Sequence, residues 1–393
     1  MTSKLRGITW NHSRGYVSVV ATAQRFMELH PDVEISWDKR SLQAFADYPI
    51  RVLAEQYDLL IIDHPWAGFA ADQGILVPLE QHLPRAFIED QAANSVGLSH
   101  MSYNFDGCQS ALAVDAAAPV ATYRPDLFER DGLALPESWD DLLAIARQGK
   151  VAFAGIPIDT LMQLYMLCVT QGEEPFAGRE RVVSQEMGVQ VLEQLRELTC
   201  YCTPEMLDWN PIKVYEAMAA RDDLYYCPFA YGYSNYSRTG YSRRLLFATD
   251  MVDIGGHGKL RSTLGGTGLA ISAACKHLDM ALAYAQFTAS PDIQKTIYVE
   301  SGGQPGHRSA WLDEEVNRRS HHYFANTLPA LERAYMRPRY SGYFHFQDHA
   351  GDVVRDYIRG GGDPLQVLEQ MDRLYRESLE EGTDEAAGWI AGA

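Results

Sequence analysis

Apolar residues recur along this chain with two periods, and the alternation between them predicts the architecture. Ile8-Thr9-Trp10 reads as a β-run, and the polar turn Asn11-His12-Ser13-Arg14-Gly15 after it suits a strand-to-helix loop. Val17, Val20, Ala21, Gln24 and Met27 then stand at helical spacing, and His30-Pro31-Asp32 ends that helix before a second run, Val33–Trp37. A further helix is expected over Phe45–Gln56. Tyr57-Asp58-Leu59-Leu60-Ile61-Ile62 follows, the near-continuous apolar run of a parallel strand buried on both faces. Asp63-His64-Pro65-Trp66 closes that strand with a helix-start signal, an Asp placed to cap and a Pro soon after, and Gly74 ends the helix. Strands alternating with helices over short connections predict open, mostly parallel sheets covered by helices, with ligands bound beyond the carboxyl ends of strands.

Further along, the small residues Ala116–Pro119 suit a crossing between two lobes. Ser138 followed three residues later by Asp141 predicts a capped helix. Val151–Ile156 is read as a strand, and Gln185–Leu198 and Val214–Met218 as helical. The densest aromatic cluster, Tyr225 to Tyr236, carries Pro, Gly and Asn, so its second half is read as loop. Gly265-Gly266-Thr267-Gly268-Leu269-Ala270-Ile271 is a glycine-rich strand start, with a helix over Leu278–Ala289. From about Asp313 the chain is largely helical, interrupted by an aromatic and basic loop, Arg337 to Phe346.

Length turns this pattern into a domain count: 393 residues exceed what one core organises, so two domains are expected. With 34 basic against 52 acidic residues the net charge is −18, which lacks the phosphate-neutralising surface of a nucleic-acid binder. No run approaches the roughly 18 apolar residues of a membrane span, so no membrane insertion is expected. Met1–Arg6 leads straight into a strand with no apolar leader segment, so the protein is expected to be cytoplasmic as written, and periplasmic or extracellular if a signal peptide has been removed. The six cysteines are irregularly spaced and read as reduced thiols. Cys200-Tyr201-Cys202 resembles half a metal site and is read as having no CxxC or HxxxH to complete it, and no metal or cofactor is expected.

The order of motifs resembles the extracellular solute-binding proteins of ABC transporters, in the branch whose best-known members bind maltose and other oligosaccharides. Phe26-Met27-Glu28-Leu29-His30-Pro31-Asp32-Val33 is similar to one family element, and Tyr57-Asp58-Leu59 running through Gly74-Ile75-Leu76-Val77-Pro78-Leu79 to another. Thr122-Tyr123-Arg124-Pro125-Asp126-Leu127-Phe128 with Gly132-Leu133 and Pro136-Glu137-Ser138-Trp139-Asp140 carries a third. Gly265–Ile271, Ala281–Gln294 and Gly302-Gly303-Gln304-Pro305 complete the set. The resemblance implies a two-lobed α/β fold of the type II periplasmic-binding kind. In it each lobe is a mostly parallel sheet flanked by helices, and a ligand cleft between the lobes shuts by hinge bending. It places the first lobe at residues 1–112 plus 250–305 and the second at 113–249 plus 306–393. It also implies a monomer that serves an ABC permease.

Candidate contacts follow from the strand ends. Trp10, Asn11, His12, Arg14 and Tyr16 lie at the end of the first strand, and Asp63, His64 and Trp66 at the end of the third, with Asp63 alternatively a helix cap. By resemblance, Asp115 falls where the family supplies an acidic contact. Tyr231 and Tyr233 offer flat faces with hydroxyl tips. Gly265, Gly266 and Thr267 expose amides or simply pack a strand. Tyr343 and His345, near Arg337 and Arg339, suit a rim for an anion or a solvated basic turn. The function expected is closure around a small polar ligand, sugar-like or carboxylate-bearing. No nucleophile–base signature such as GxSxG is present, so no enzyme is expected. The alternatives are a cytosolic sensor, or an enzyme on the same scaffold using His12, Asp63, His64 and Asp115 as an acid–base or metal set.

Overall fold

The computed structural model describes residues 3–42 and 50–388. Its strands, in chain order, are β1 (Ser3–Trp10), β2 (Val33–Arg40), β3 (Leu59–Ile62), β4 (Asn104–Phe105), β5 (Cys108–Gln109), β6 (Leu112–Ala117), β7 (Pro119–Tyr123), β8 (Tyr226–Tyr231), β9 (Phe247–Thr249) and β10 (Gly265–Ile271). The chain divides into two compact units. One holds residues 1–117, 264–319 and 339–341, and the other 118–263, 320–338 and 342–393.

The first unit is built on a five-stranded sheet in the order β2-β1-β3-β10-β6. β1 pairs parallel with β2 and β3, while β10 runs antiparallel to both β3 and β6. The apolar run in β3 explains why this sheet lies between two layers of helix. Leu59 and Ile61 point into one core with Phe26, Val114, Ile271 and Tyr284; Leu60 and Ile62 point into the other with Leu53, Ala70, Tyr103 and Ala113. The helix Ser18–Leu29 matches the expected spacing, and Gly74 ends the helix Trp66–Gln73 at φ 60°, a left-handed conformation that suits glycine. Of the expected helix Phe45–Gln56, the part Ile50–Gln56 is helical and the remainder lies outside the described residues. Asp106-Gly107, both at positive φ, turn β4 into β5.

The second unit differs from the expected parallel sheet. Its three strands run β8-β7-β9, with both neighbours antiparallel to β7. The run Val151–Ile156 pairs with the sheet through the parallel bridge Val151–Tyr226 and then leaves it, because its backbone is used elsewhere: Gln163 donates to the Ala154 carbonyl, and the Gly155 amide donates to that of Trp209. Helices supply most of this unit. The helix Pro157–Thr170 is buried from Asp159 to Thr170, and the amphipathic helices Gln185–Thr199 and Tyr343–Gly360 belong to the same unit. Ser138 and Asp141 form the expected capping box. The segment Tyr343–Phe346, read as loop, is the first turn of the helix Tyr343–Gly360.

The chain crosses between the units at 117/118, 263/264 and 319/320, each later than the sequence places it. Residues 250–263 belong to the second unit, tied there by the Asp250–Arg333 ion pair and by Ser262 donating to the Pro119 carbonyl at 2.6 Å. Residues 306–319 belong to the first, through the Gly306 amide on the Val114 carbonyl and the Arg319–Glu300 pair. Among the described residues, no helix is long and apolar enough to cross a membrane.

Candidate functional site

The sheet of the first unit gathers its chemistry at one edge. β6 is antiparallel to β10 and β10 antiparallel to β3, so the carboxyl ends of β1, β3 and β6 and the amino end of β10 share that edge. Trp10, Asp63, Asp115 and Gly265–Thr267 therefore belong to one region, although they are up to 257 positions apart, the span from Trp10 to Thr267.

β1 passes into a short π-helical turn, Ser13–Val17, rather than directly into the α-helix. His12 caps this turn: its Nδ1 accepts from the Arg14 amide at 3.0 Å. Gly15 is required here, since a Cβ at that position would fall 2.4 Å from the Trp10 indole. The turn aims Arg14 inward. Its Nε donates to Asp115 Oδ2 at 2.9 Å and its Nη2 to Oδ1, a two-pronged pair whose side chains are 5% and 0% exposed. The Arg14 guanidinium also lies 5.9 Å from the Trp10 ring centroid.

β10 brings two further groups to the pair. Thr267 stands opposite Asp115 in the register, just before a bulge at Thr267/Gly268. Gly266 has φ 95°, and a Cβ there would sit 2.3 Å from the Asp115 carbonyl oxygen, so glycine lets β10 approach this closely. The buried Thr267 hydroxyl meets no hydrogen-bonding partner among the described residues. Gln304, read in sequence only as part of a family motif, donates its amide to Asp115 Oδ2 at 3.4 Å and closes a ring with the Ala116 backbone.

The Arg14–Asp115 pair and His12 together carry no net charge near pH 7. Burial first, and the Arg14 charge second, push the His12 imidazole down to about 4, so it is uncharged near pH 7. The Nδ1 that accepts a backbone proton is then unprotonated, and Nε2 carries the hydrogen. The Arg14 charge is met by Asp115. Asn11 is exposed, while Tyr16 is half-buried with Lys39 4.8 Å from its ring centroid.

Other expected residues have different roles. His64 is fully buried, with Nδ1 3.3 Å from Asp63 and its ring edge-on to Tyr103, so it is not displayed as a surface donor. Asp63 does not cap the helix Trp66–Gln73 through its side chain; Oδ1 accepts from the His64 amide at 2.9 Å. Trp66 is half-buried and edge-on to Phe69. In the second unit, Tyr231 is half-buried with its hydroxyl 3.3 Å from that of Thr263, Tyr233 is buried against Tyr215, and Tyr343 is fully buried against Phe176.

The basic rim does not form. Arg337 is buried and donates to Gln347 at 2.9 Å, and Arg339 donates to the carbonyls of Met101, Ser102 and Asn104 within the first unit. His345 instead stands beside His349, and the two form an HxxxH pair, contrary to the expectation that the sequence holds none. Among the described residues, no three His, Cys, Asp or Glu side chains are grouped to hold a metal ion, so His12, Asp63, His64 and Asp115 do not assemble as a metal set. What the edge offers is a set of fixed hydrogen-bonding dipoles, with the Trp10 ring held against the Arg14–Asp115 pair.

Known proteins share the family and the fold of this chain. Residues 21–324 match the family described as bacterial extracellular solute-binding protein. A mannitol-binding protein of Pseudomonas aeruginosa is 33% identical over 124 residues, a stretch that spans 30% of this chain and 27% of that relative's length. The fold is shared with the maltose-bound MalE3 of T. maritima (TM-score 0.83, 16% identity, covering 96% of this chain and 100% of that one). It is also shared with a solute-binding protein of Agrobacterium vitis S4 bound to D-mannitol (TM-score 0.75, 15% identity, 97% and 99% covered). These are two-lobed sugar-binding folds, and the present chain, with its two α/β units, belongs to the bacterial extracellular solute-binding protein family.

Proposed function

We propose that this protein is the solute-binding component of an ABC importer and that its solute is neutral and polyhydroxylated, a polyol or a small sugar. The observation that carries the neutral assignment is the buried Arg14–Asp115 pair. Of the basic residues that were candidates for a carboxylate-bearing solute, none offers an unmatched charge. Arg14 is matched by Asp115, His12 is uncharged near pH 7, and Arg337 and Arg339 are committed to structural acceptors. A hydroxylated solute needs donors and acceptors in fixed positions; His12 Nε2 is the candidate donor, with the Asp115–Arg14 pair and the Thr267 hydroxyl buried beside it. The mannitol-binding relative and the D-mannitol-bound structure support the polyol class.

In the second unit Tyr231 keeps exposed surface and is the candidate for stacking on a carbon chain or ring. The role is binding without turnover, by a monomer that delivers its solute to a permease. The family's extracellular character supports action outside the cytoplasm. Thermal-shift screening of D-mannitol, ribitol and maltose against gluconate tests the reading. A neutral compound at about 100-fold its Kd stabilises the protein by about 2.7 kcal/mol. Stabilisation by gluconate alone contradicts it.

A further inference from the structure

We propose that His345 and His349 form a two-nitrogen site for a divalent first-row transition-metal ion, Zn2+ foremost. The two residues lie four apart on the helix Tyr343–Gly360, a spacing that puts them on one face. Their rings stand side by side, with centroids 4.3 Å apart and planes 32° from parallel. His349 Nδ1 is 2.8 Å from the His345 carbonyl oxygen. A carbonyl only accepts, so Nδ1 carries the hydrogen and the lone pair sits on Nε2. This is how a metal-ligating histidine is usually oriented, by a backbone carbonyl on its other nitrogen.

The helix that carries the pair is held in place. Tyr343, Phe346, Gln347 and Ala350 are buried, Gln347 accepts from Arg337, and a Cβ at Gly351 would fall 2.8 Å from the Pro157 backbone. The face opposite those contacts bears His345, half-buried, and His349, exposed. Both ligands thus sit on a regular element whose rotation packing has already set. Among the described residues no third His, Cys, Asp or Glu joins them, so water fills the remaining positions of a bound ion. Borderline-soft ions that favour imidazole fit this donor set; Ca2+ and Mg2+, which take oxygen, do not.

Calorimetric titration of Zn2+ into the full chain, tag-free and chelator-treated, tests the site. One ion per chain is expected. His349→Gln and His345→Ala should each weaken binding by about tenfold or more while leaving metal-free melting unchanged. Cu2+ bound in place of Zn2+ should show nitrogen hyperfine structure in its electron paramagnetic resonance spectrum. The proposal is overturned if Zn2+ does not bind, or if both variants bind it undiminished. It is equally overturned if Co2+ shows thiolate charge-transfer absorption that disappears in Cys200→Ser, since the exposed Cys200 would then be the ligand.

Discussion

Arg14 and Asp115 are each expensive to bury and are stable here because each answers the other. Removing one partner leaves an uncompensated buried charge. Asp115→Ala and Arg14→Ala should each destabilise the chain by about 3–5 kcal/mol, whereas the double replacement Arg14→Met with Asp115→Leu should recover most of that loss. Chemical denaturation of the three variants measures it, and equal destabilisation in the double variant would contradict the pairing. His12 adds a pH dependence. Its folded-state value, about 4, lies below the ordinary 6.5, so the unfolded chain binds the extra proton between those limits. Its contribution is therefore present above about 6.5 and is lost as pH falls toward 4, up to about 3 kcal/mol in all. His12→Gln should flatten the melting temperature across that window. The sequence presents Arg14 and Asp115 as separate candidates. Their partnership spans 101 positions, and only the fold of the sheet brings them together.

Among the elements, those with a local signal were legible. The helix Leu278–Ala289 occupies its expected residues, and Ser138 with Asp141 caps the helix Trp139–Ala146, because periodicity and caps act within a few residues. Ser138→Ala should cost about 1 kcal/mol, read from equilibrium unfolding. The Val151–Ile156 run was not legible, since its apolar residues suit a strand equally well and its hydrogen bonds go to Gln163 and Trp209, which lie outside it. The buried first turn of the helix Pro157–Thr170 holds a similar long-range effect. Among the described residues Asp159 Oδ2 meets no hydrogen-bonding partner, and burial pushes its carboxyl up to about 8. A raised carboxyl favours folding below its unfolded value, and that advantage disappears as pH rises through 8. Asp159→Asn should thus match or exceed the parent in melting temperature at pH 8 to 9 and lose ground at pH 4 to 5. A uniform loss at every pH would contradict this account.

At the scale of the whole molecule, the motif order identified the family and its two α/β units, while the late boundaries at 263/264 and 319/320 depended on tertiary ties such as Asp250–Arg333 and Gly306–Val114. In sequence, His12, Arg14, His64 and His345 are four imidazole or guanidinium donors that favour an anionic solute, but their surroundings are not legible there. His12 is uncharged near pH 7, Arg14 is paired with Asp115, His64 is buried beside Asp63, and His345 stands beside His349. The most direct test is calorimetric titration at pH 7 of the protein and of Asp115→Asn, with D-mannitol or ribitol in one series and the corresponding aldonic acids in another. The account predicts saturable one-to-one binding of a neutral compound and little or none of its acid. In Asp115→Asn, neutral binding should fall about tenfold or more as Arg14 loses its matching charge and the edge its fixed geometry. Preference for the acid, or undiminished binding of the neutral compound in Asp115→Asn, would contradict it.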